Sequence, residues 1–163
     1  MGDILASSWY VLSCSPRKER VIYHQLRARG FDVFFPYIIV RTNDPNTLRI
    51  EAYFPGYLFI KVDLSQIAQS TFQWMPMTSG LVCIAGKPAL VPDPMVMAIQ
   101  RAIKRTNSTV LGMPEELETA EKHPNQSDGF PGNGSFLDLN VSGGDRTREL
   151  LQILNGLTSD SEH

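Results

Sequence analysis

The 163-residue chain carries few of the groups from which active sites are built. Its two cysteines, Cys14 and Cys83, lie inside apolar stretches and suit a reducing compartment rather than a disulfide framework. Three histidines, at positions 24, 123 and 163, have no metal-ligand spacing. Neither a G-x-G-x-x-G turn nor a Walker loop occurs, and the carboxylates of the N-terminal part are too scattered to suggest an acid/base pair. No cofactor and no enzymatic activity are therefore expected. The longest apolar stretches, VFFPYIIV and YFPGYLFIKV, are broken by proline and fall short of the roughly 20 residues that span a bilayer. The opening MGDILASSWYVLSC has an early Asp3 and no basic segment ahead of its apolar residues. That is not a signal-peptide pattern, and a cytoplasmic protein without membrane contact is the expectation.

What is present is divided. Residues 1–105 hold 12 Lys and Arg against 7 Asp and Glu, whereas residues 106–163 hold 3 against 10. A basic module suits a polyanion, because each neutralised phosphate releases counterions. The acidic, turn-rich stretch EELETAEKHPNQSDGFPGNGS reads as a linker. The expected division is a folded unit over 1–106, a linker over 107–133 and a further small segment over 134–163.

Within the first unit, Trp9–Cys14 has strand composition and Ser15-Pro16 has the chemistry of a helix start, with the helix ending before Gly30. Ile22, Tyr23 and Leu26 share one face of that helix. Arg17, Arg20, His24 and Arg27 line the other, with Lys18 beside them. Three strand-like segments follow, Phe31–Arg41, Leu48–Phe54 and Tyr57–Val62, separated only by turns, so consecutive segments should pair antiparallel. Phe72–Gly80 reads as an irregular loop, Leu81–Ala85 as a strand and Asp93–Arg105 as a second helix. The fold class is α+β: an antiparallel sheet flanked by helices. The last apolar island, SFLDLNVSGGDRTRELLQILNGL, fits two strands or a strand and a short helix.

Two features bear on function. Cys14 and Arg20 stand at the Cys-x5-Arg spacing of a cysteine phosphatase loop. Such a loop needs converging backbone N–H groups, yet SPRKE has no glycine, loses a donor at Pro16 and carries Glu19 where a phosphate would sit. A buried structural thiol is the better reading. The second feature is YFPGYLFIKVD, a strand apolar on both faces: Leu58, Ile60 and Val62 point one way, Tyr57 and Phe59 the other. Either helices pack on both faces, or the Tyr57–Phe59 face is an exposed docking patch.

The ordered set WYVLSC, basic helix, FFPYIIV, Phe54-Pro55-Gly56-Tyr57, Thr78–Val82 and Val91-Pro92 resembles the N-terminal domain of NusG-family transcription elongation factors. It is most similar to the specialised paralogues of the RfaH type. The resemblance implies a monomeric elongation or antitermination factor that sits on RNA polymerase across the DNA cleft and suppresses pausing or termination. It implies that Tyr57, Phe59 and Phe34 meet the clamp helices of the largest subunit. Ser70, Thr71 and Phe72 would meet the second-largest subunit on the opposite pincer. Arg17, Lys18, Arg20, His24 and Arg27 would approach the non-template DNA strand, without base-specific reading, since Ser15 and Ser79 stand where relatives can carry cations. A general nucleic-acid-binding module is the alternative. The family's second domain, a KOW barrel, is represented only by Gly129-Phe130-Pro131-Gly132 and by DRTRELLQIL, which resembles closing strands, so contacts to Rho or the ribosome do not carry over.

Overall fold

A computed structural model describes residues 7–44, 46–112 and 140–160. Of the linker expected over 107–133, residues 107–111 are the end of a helix, and 113–133, with Gly129–Gly132, fall outside the described residues.

The main sheet is built from β1 (Ser8–Cys14), β2 (Asp32–Phe34), β5 (Tyr57–Val62) and β6 (Thr78–Leu81), in the order β2-β5-β1-β6. The short β9 (Leu90–Val91) also pairs with β1. Every pairing is antiparallel, with Val11 opposite Phe59 and Phe34 opposite Phe59 on the far side. Two hairpins stand apart: β3 (Tyr37–Arg41) with β4 (Leu48–Ala52), and β7 (Cys83–Ile84) with β8 (Lys87–Pro88). The latter turns on Ala85 and Gly86, both at positive φ, as a two-residue hairpin turn demands.

Antiparallel pairing of consecutive segments was expected throughout and holds only in part. Pro36 splits Phe31–Arg41 into β2 and β3, because proline cannot donate to a ladder. β4 then pairs with β3 alone, while β5 runs between β1 and β2. The stretch expected as a loop from Phe72 holds the end of a short helix, α2 (Ser70–Gln73), and most of β6.

The first helix, α1 (Glu19–Ala28), starts three residues later than Pro16. Pro16 and Arg17 instead occupy the centre of a turn closed by Lys18 N–H to Ser15 carbonyl at 3.1 Å, with Arg17 at φ 69°. A positive φ at the third turn position is the type II pattern. The helix α3 (Asp93–Leu111) runs six residues past the expected Arg105 and ends on left-handed Gly112. Its added turn is anchored outside itself: Asn107 accepts from Ile39 N–H at 2.9 Å and donates to the Tyr37 carbonyl at 3.1 Å.

Residues Gly143–Asp160 form a fourth helix, α4: of the two readings left open for this island, two strands or a strand and a short helix, the helix is found, longer than allowed for, and the likeness of DRTRELLQIL to closing barrel strands does not hold. The helix is dictated locally. Ser142 caps it, its Oγ accepting from Asp145 N–H at 3.2 Å and donating to Asp145 Oδ2 at 2.7 Å. Leu150, Ile153, Leu154 and Leu157 then recur at helical spacing on one side.

Two buried clusters lie on opposite faces of the main sheet. One joins Leu12, Leu58, Ile60 and Val62 to Ile22 and Leu26 of α1, with Phe72. The other joins Val11 and Phe59 to Met95, Val96, Ile99 and Ile103 of α3 and to Leu150 and Leu154 of α4. The strand that is apolar on both sides is thus covered on both sides.

Candidate functional site

The face of β5 that carries Tyr57 and Phe59 is the centre of an aromatic nest. Phe59 is fully buried, stacked on Phe34 at 5.8 Å between ring centroids and met edge-on by Phe54 at 5.9 Å. Phe54 in turn meets Tyr53 at 4.9 Å, nearly perpendicular. Phe34 and Tyr57 are half-buried at its margin. Of the two readings left open for this face, an exposed docking patch, which the resemblance implied, and a covered one, Phe59 takes the second. The physical reason is that Phe34 and Phe54 lie against the ring, and that its buried cluster takes in Met95, Val96 and Ile99 of α3 as well as Leu150 and Leu154 of α4, with Ile153 and Leu157 packed against it.

The N-terminal end of α4 is held by two contacts. Arg146 is almost fully buried: its Nε donates to the Tyr53 carbonyl at 3.2 Å, another guanidinium nitrogen donates to the Val141 carbonyl, and the head group lies 4.2 Å from the Tyr53 ring centroid. Gly143 approaches Pro55 so closely that a Cβ there would meet its Cγ and Cδ at 2.9 Å. Pro55 belongs to the Phe54-Pro55-Gly56-Tyr57 turn, so α4 rests directly on the segment singled out in the sequence. Neither contact was foreseen. The Leu150/Ile153/Leu154/Leu157 spacing and the Ser142/Asp145 cap were the signals available.

Cys14 lies beneath the same turn. Its backbone N–H donates to the Gly56 carbonyl at 2.8 Å, and Glu19, itself buried, accepts the Gly56 N–H on Oε1 at 2.8 Å. Burial, with the Glu19 carboxylate adding to it, pushes the Cys14 thiol up to about 12. A nucleophilic cysteine needs the reverse shift. Glu19 is a bracket between α1 and the β5 turn, and the phosphatase reading has no thiolate to work with.

Arg17, Lys18, Arg20, His24 and Arg27 are all exposed. Arg27 stands 3.8 Å from Asp32, a solvent-facing pair of small energetic consequence. Of the three residues expected to meet a second partner surface, Ser70 and Thr71 are exposed, but Phe72 is fully buried against Phe31 at 5.5 Å and serves the core. Two positions on, Trp74 is 81% exposed, and sequence reasoning passed it over. No group of His, Cys, Asp or Glu able to hold a metal ion occurs among the described residues, and no helix among them is long and apolar enough to cross a membrane.

The sequence model for the NusG family, described as transcription termination factor nusG, matches residues 7–100. The chain belongs to the NusG family. This family consists of transcription factors that bind RNA polymerase, not enzymes. The NusG-family chain is also similar to a solved structure of Thermotoga maritima NusG, described under the subject of domain interaction. The TM-score is 0.43 and the identity 23%, over 64% of this chain and 59% of that one. It therefore spans less than two thirds of that protein's length. No curated protein matches it.

Proposed function

We propose that this NusG-family chain is a transcription elongation and antitermination factor of the specialised, RfaH-like kind, which docks on RNA polymerase through the aromatic nest that α4 covers. The observation that carries this is the partnership between the nest and α4. Tyr53, Phe54 and Phe59 share one buried cluster with Leu150 and Leu154 of α4, Phe34 and Tyr57 pack against it, and Arg146 and Gly143 bring that helix, from beyond residues 113–139, onto Tyr53 and Pro55. Leu150 and Leu154 are the fully buried contributions of that helix, each worth about 1.5–3 kcal/mol gross. Moving a two-state equilibrium from one extreme to the other takes about 5.5 kcal/mol. A polymerase surface offering comparable apolar area is therefore able to take the place of α4.

In this reading the clamp helices of the largest subunit meet Tyr57, Phe34 and the rings beneath them. Ser70 and Thr71 face the second-largest subunit, and the basic side of α1 steadies the non-template strand. Such a bridge disfavours the opened, paused enzyme by the free energy it gains only in the closed state.

The test is retention of purified RNA polymerase by the full-length chain and its Leu150→Glu/Leu154→Glu variant. Two carboxylates cannot enter the apolar nest, so the variant should retain more polymerase than the parent. Tyr57→Ala added to it should reverse the gain. Equal, low retention by all three proteins excludes the nest as a docking surface.

A further inference from the structure

The exposed ring of Trp74 is the feature that the docking reading leaves without a role. It is the most exposed large apolar side chain among the described residues. Its backbone is not loose. Trp74 N–H donates to the Ser70 carbonyl at 3.3 Å, closing α2. The Thr78 hydroxyl donates to the Phe72 and Met75 carbonyls, drawing the segment into a tight arch. Met77 at the end of the arch is left-handed, at φ 66°. Phe72 and Met75, on either side of the tryptophan, are both buried. The arch anchors its neighbours in the core and presents Trp74 to solvent.

This arch lies beside the start of the basic helix. Cys14 at the end of β1 pairs with Thr78, and Ser15 N–H donates to the Met77 carbonyl at 2.9 Å. The next residues along the chain are Pro16, Arg17 and Lys18, all exposed. Charge is one-sided here. From residue 7 to residue 31 the only carboxylate is Glu19, which is buried and bonded to Gly56, against five arginines and lysines. Between Asp63 and Asp93 there is no carboxylate at all. An exposed indole on an anchored backbone arch, next along the sheet edge to a cationic turn free of exposed carboxylates, has the composition of a single-strand nucleic-acid site, where phosphates pair with cations and a base stacks on a ring.

We infer that Trp74 is a base-stacking platform for single-stranded nucleic acid, whose phosphates are held by Arg17, Lys18 and Arg20. A stacked base is sequence-tolerant, because every base has a π face. The inference rests on the reading of α1 as the nucleic-acid face and not on the nest beneath α4.

The test is binding of a fluorescein-labelled single-stranded oligodeoxynucleotide of mixed sequence to the full-length chain at low salt, read by anisotropy, with indole emission followed on an unlabelled copy. Trp74→Ala should weaken binding roughly 5- to 150-fold and abolish the quenching of indole emission, while Trp74→Phe should keep most of the affinity. The salt dependence should be unchanged in Trp74→Ala. In Lys18→Gln/Arg20→Gln it should become shallower by about 0.7 for each phosphate that is no longer neutralised. Parent-like affinity and undiminished quenching in Trp74→Ala overturn the proposal, as does the absence of oligonucleotide binding by the parent. Should the charge variant bind less while both tryptophan variants bind like the parent, α1 keeps its role and stacking alone is wrong. Loss of polymerase retention by Trp74→Ala, with oligonucleotide binding intact, would make the ring a protein contact instead.

Discussion

Arg146 lies over the ring of Tyr53, 4.2 Å from its centroid, and donates to the backbone carbonyl of that same residue at 3.2 Å, though 93 positions separate the two in the chain. One side chain therefore ties the C-terminal helix to the aromatic nest by two interactions of different kinds. A desolvated cation over a ring is worth about 2 kcal/mol, and a hydrogen bond from a charged donor about 1.5–3 kcal/mol. Arg146→Met should retain the bulk but lose both, so hydrogen exchange of the amides in 143–160 should quicken at least roughly tenfold. Arg146→Lys should not restore protection, since an ammonium has no planar fork to serve ring and carbonyl together. Parent-like exchange in both variants would show that α4 is held by its leucines alone.

Gly143 and Gly144 make a paired test of the same junction. A Cβ on Gly143 meets Pro55 at 2.9 Å, whereas one on Gly144 meets nothing within 4 Å. Gly143→Ala should lift the start of α4 from the turn at a cost of about 1–3 kcal/mol, typical of overpacking. Gly144→Ala should be neutral or stabilise by up to about 1 kcal/mol, through helix propensity. Thermal unfolding of the two variants should move in opposite directions, or in Gly143→Ala alone.

How much of this was legible in the sequence depends on where the information resides. Trp9–Cys14, the helix ending before Gly30, Tyr57–Val62 and the helix opening at Asp93-Pro94 announce themselves through local pattern, and each is found. Strand order is not local. Nothing within Leu48–Phe54 says that β4 leaves the main sheet while β5 enters between β1 and β2. Phe59 shows the same limit more sharply: its direction was readable from the two-residue alternation, but its burial belongs to a cluster assembled from α3 and α4, whose residues lie some 35 to 95 positions further on. Phe72, expected at a surface, turns inward, and Trp74, to which no role was given, turns outward, for a related reason. In a short arch anchored by Thr78, the ring that points inward is decided by hydrogen bonds to the backbone, which no periodicity records.

The buried thiol offers a pH test whose sign follows from its shift. Cys14 is raised to about 12 in the folded chain from an ordinary value of 9.0. Between those values the unfolded chain has released the proton that the folded chain still holds, so unfolding becomes more favourable as pH rises. The contribution is intact below about pH 9 and is lost progressively towards 12. Cys14→Ala should flatten this alkaline decline in denaturant titrations. At pH 8 a maleimide should label the exposed Cys83 in the native protein and reach Cys14 only on unfolding. Rapid native labelling of Cys14 would mean that the turn above it opens readily.

Asn107 is the last bracket to test, because it joins α3 to the hairpin that stands outside the main sheet. Its carbonyl oxygen accepts from Ile39 N–H and its amide nitrogen donates to the Tyr37 carbonyl, with Arg41 adding a bond to the Val110 carbonyl at 2.7 Å. The hairpin pairs with no strand of the main sheet, so these bonds carry much of its orientation. Asn107→Ala leaves both backbone groups without that partner and should destabilise by about 1–3 kcal/mol. Asn107→Asp is the informative variant: a carboxylate still accepts from Ile39 but cannot donate to Tyr37, and it sets an anion against a carbonyl oxygen. It should therefore be no better than alanine, with loss of exchange protection confined to 37–52. If aspartate restores parent-like protection, the bond to Ile39 alone orients the hairpin and the donor side of Asn107 contributes nothing.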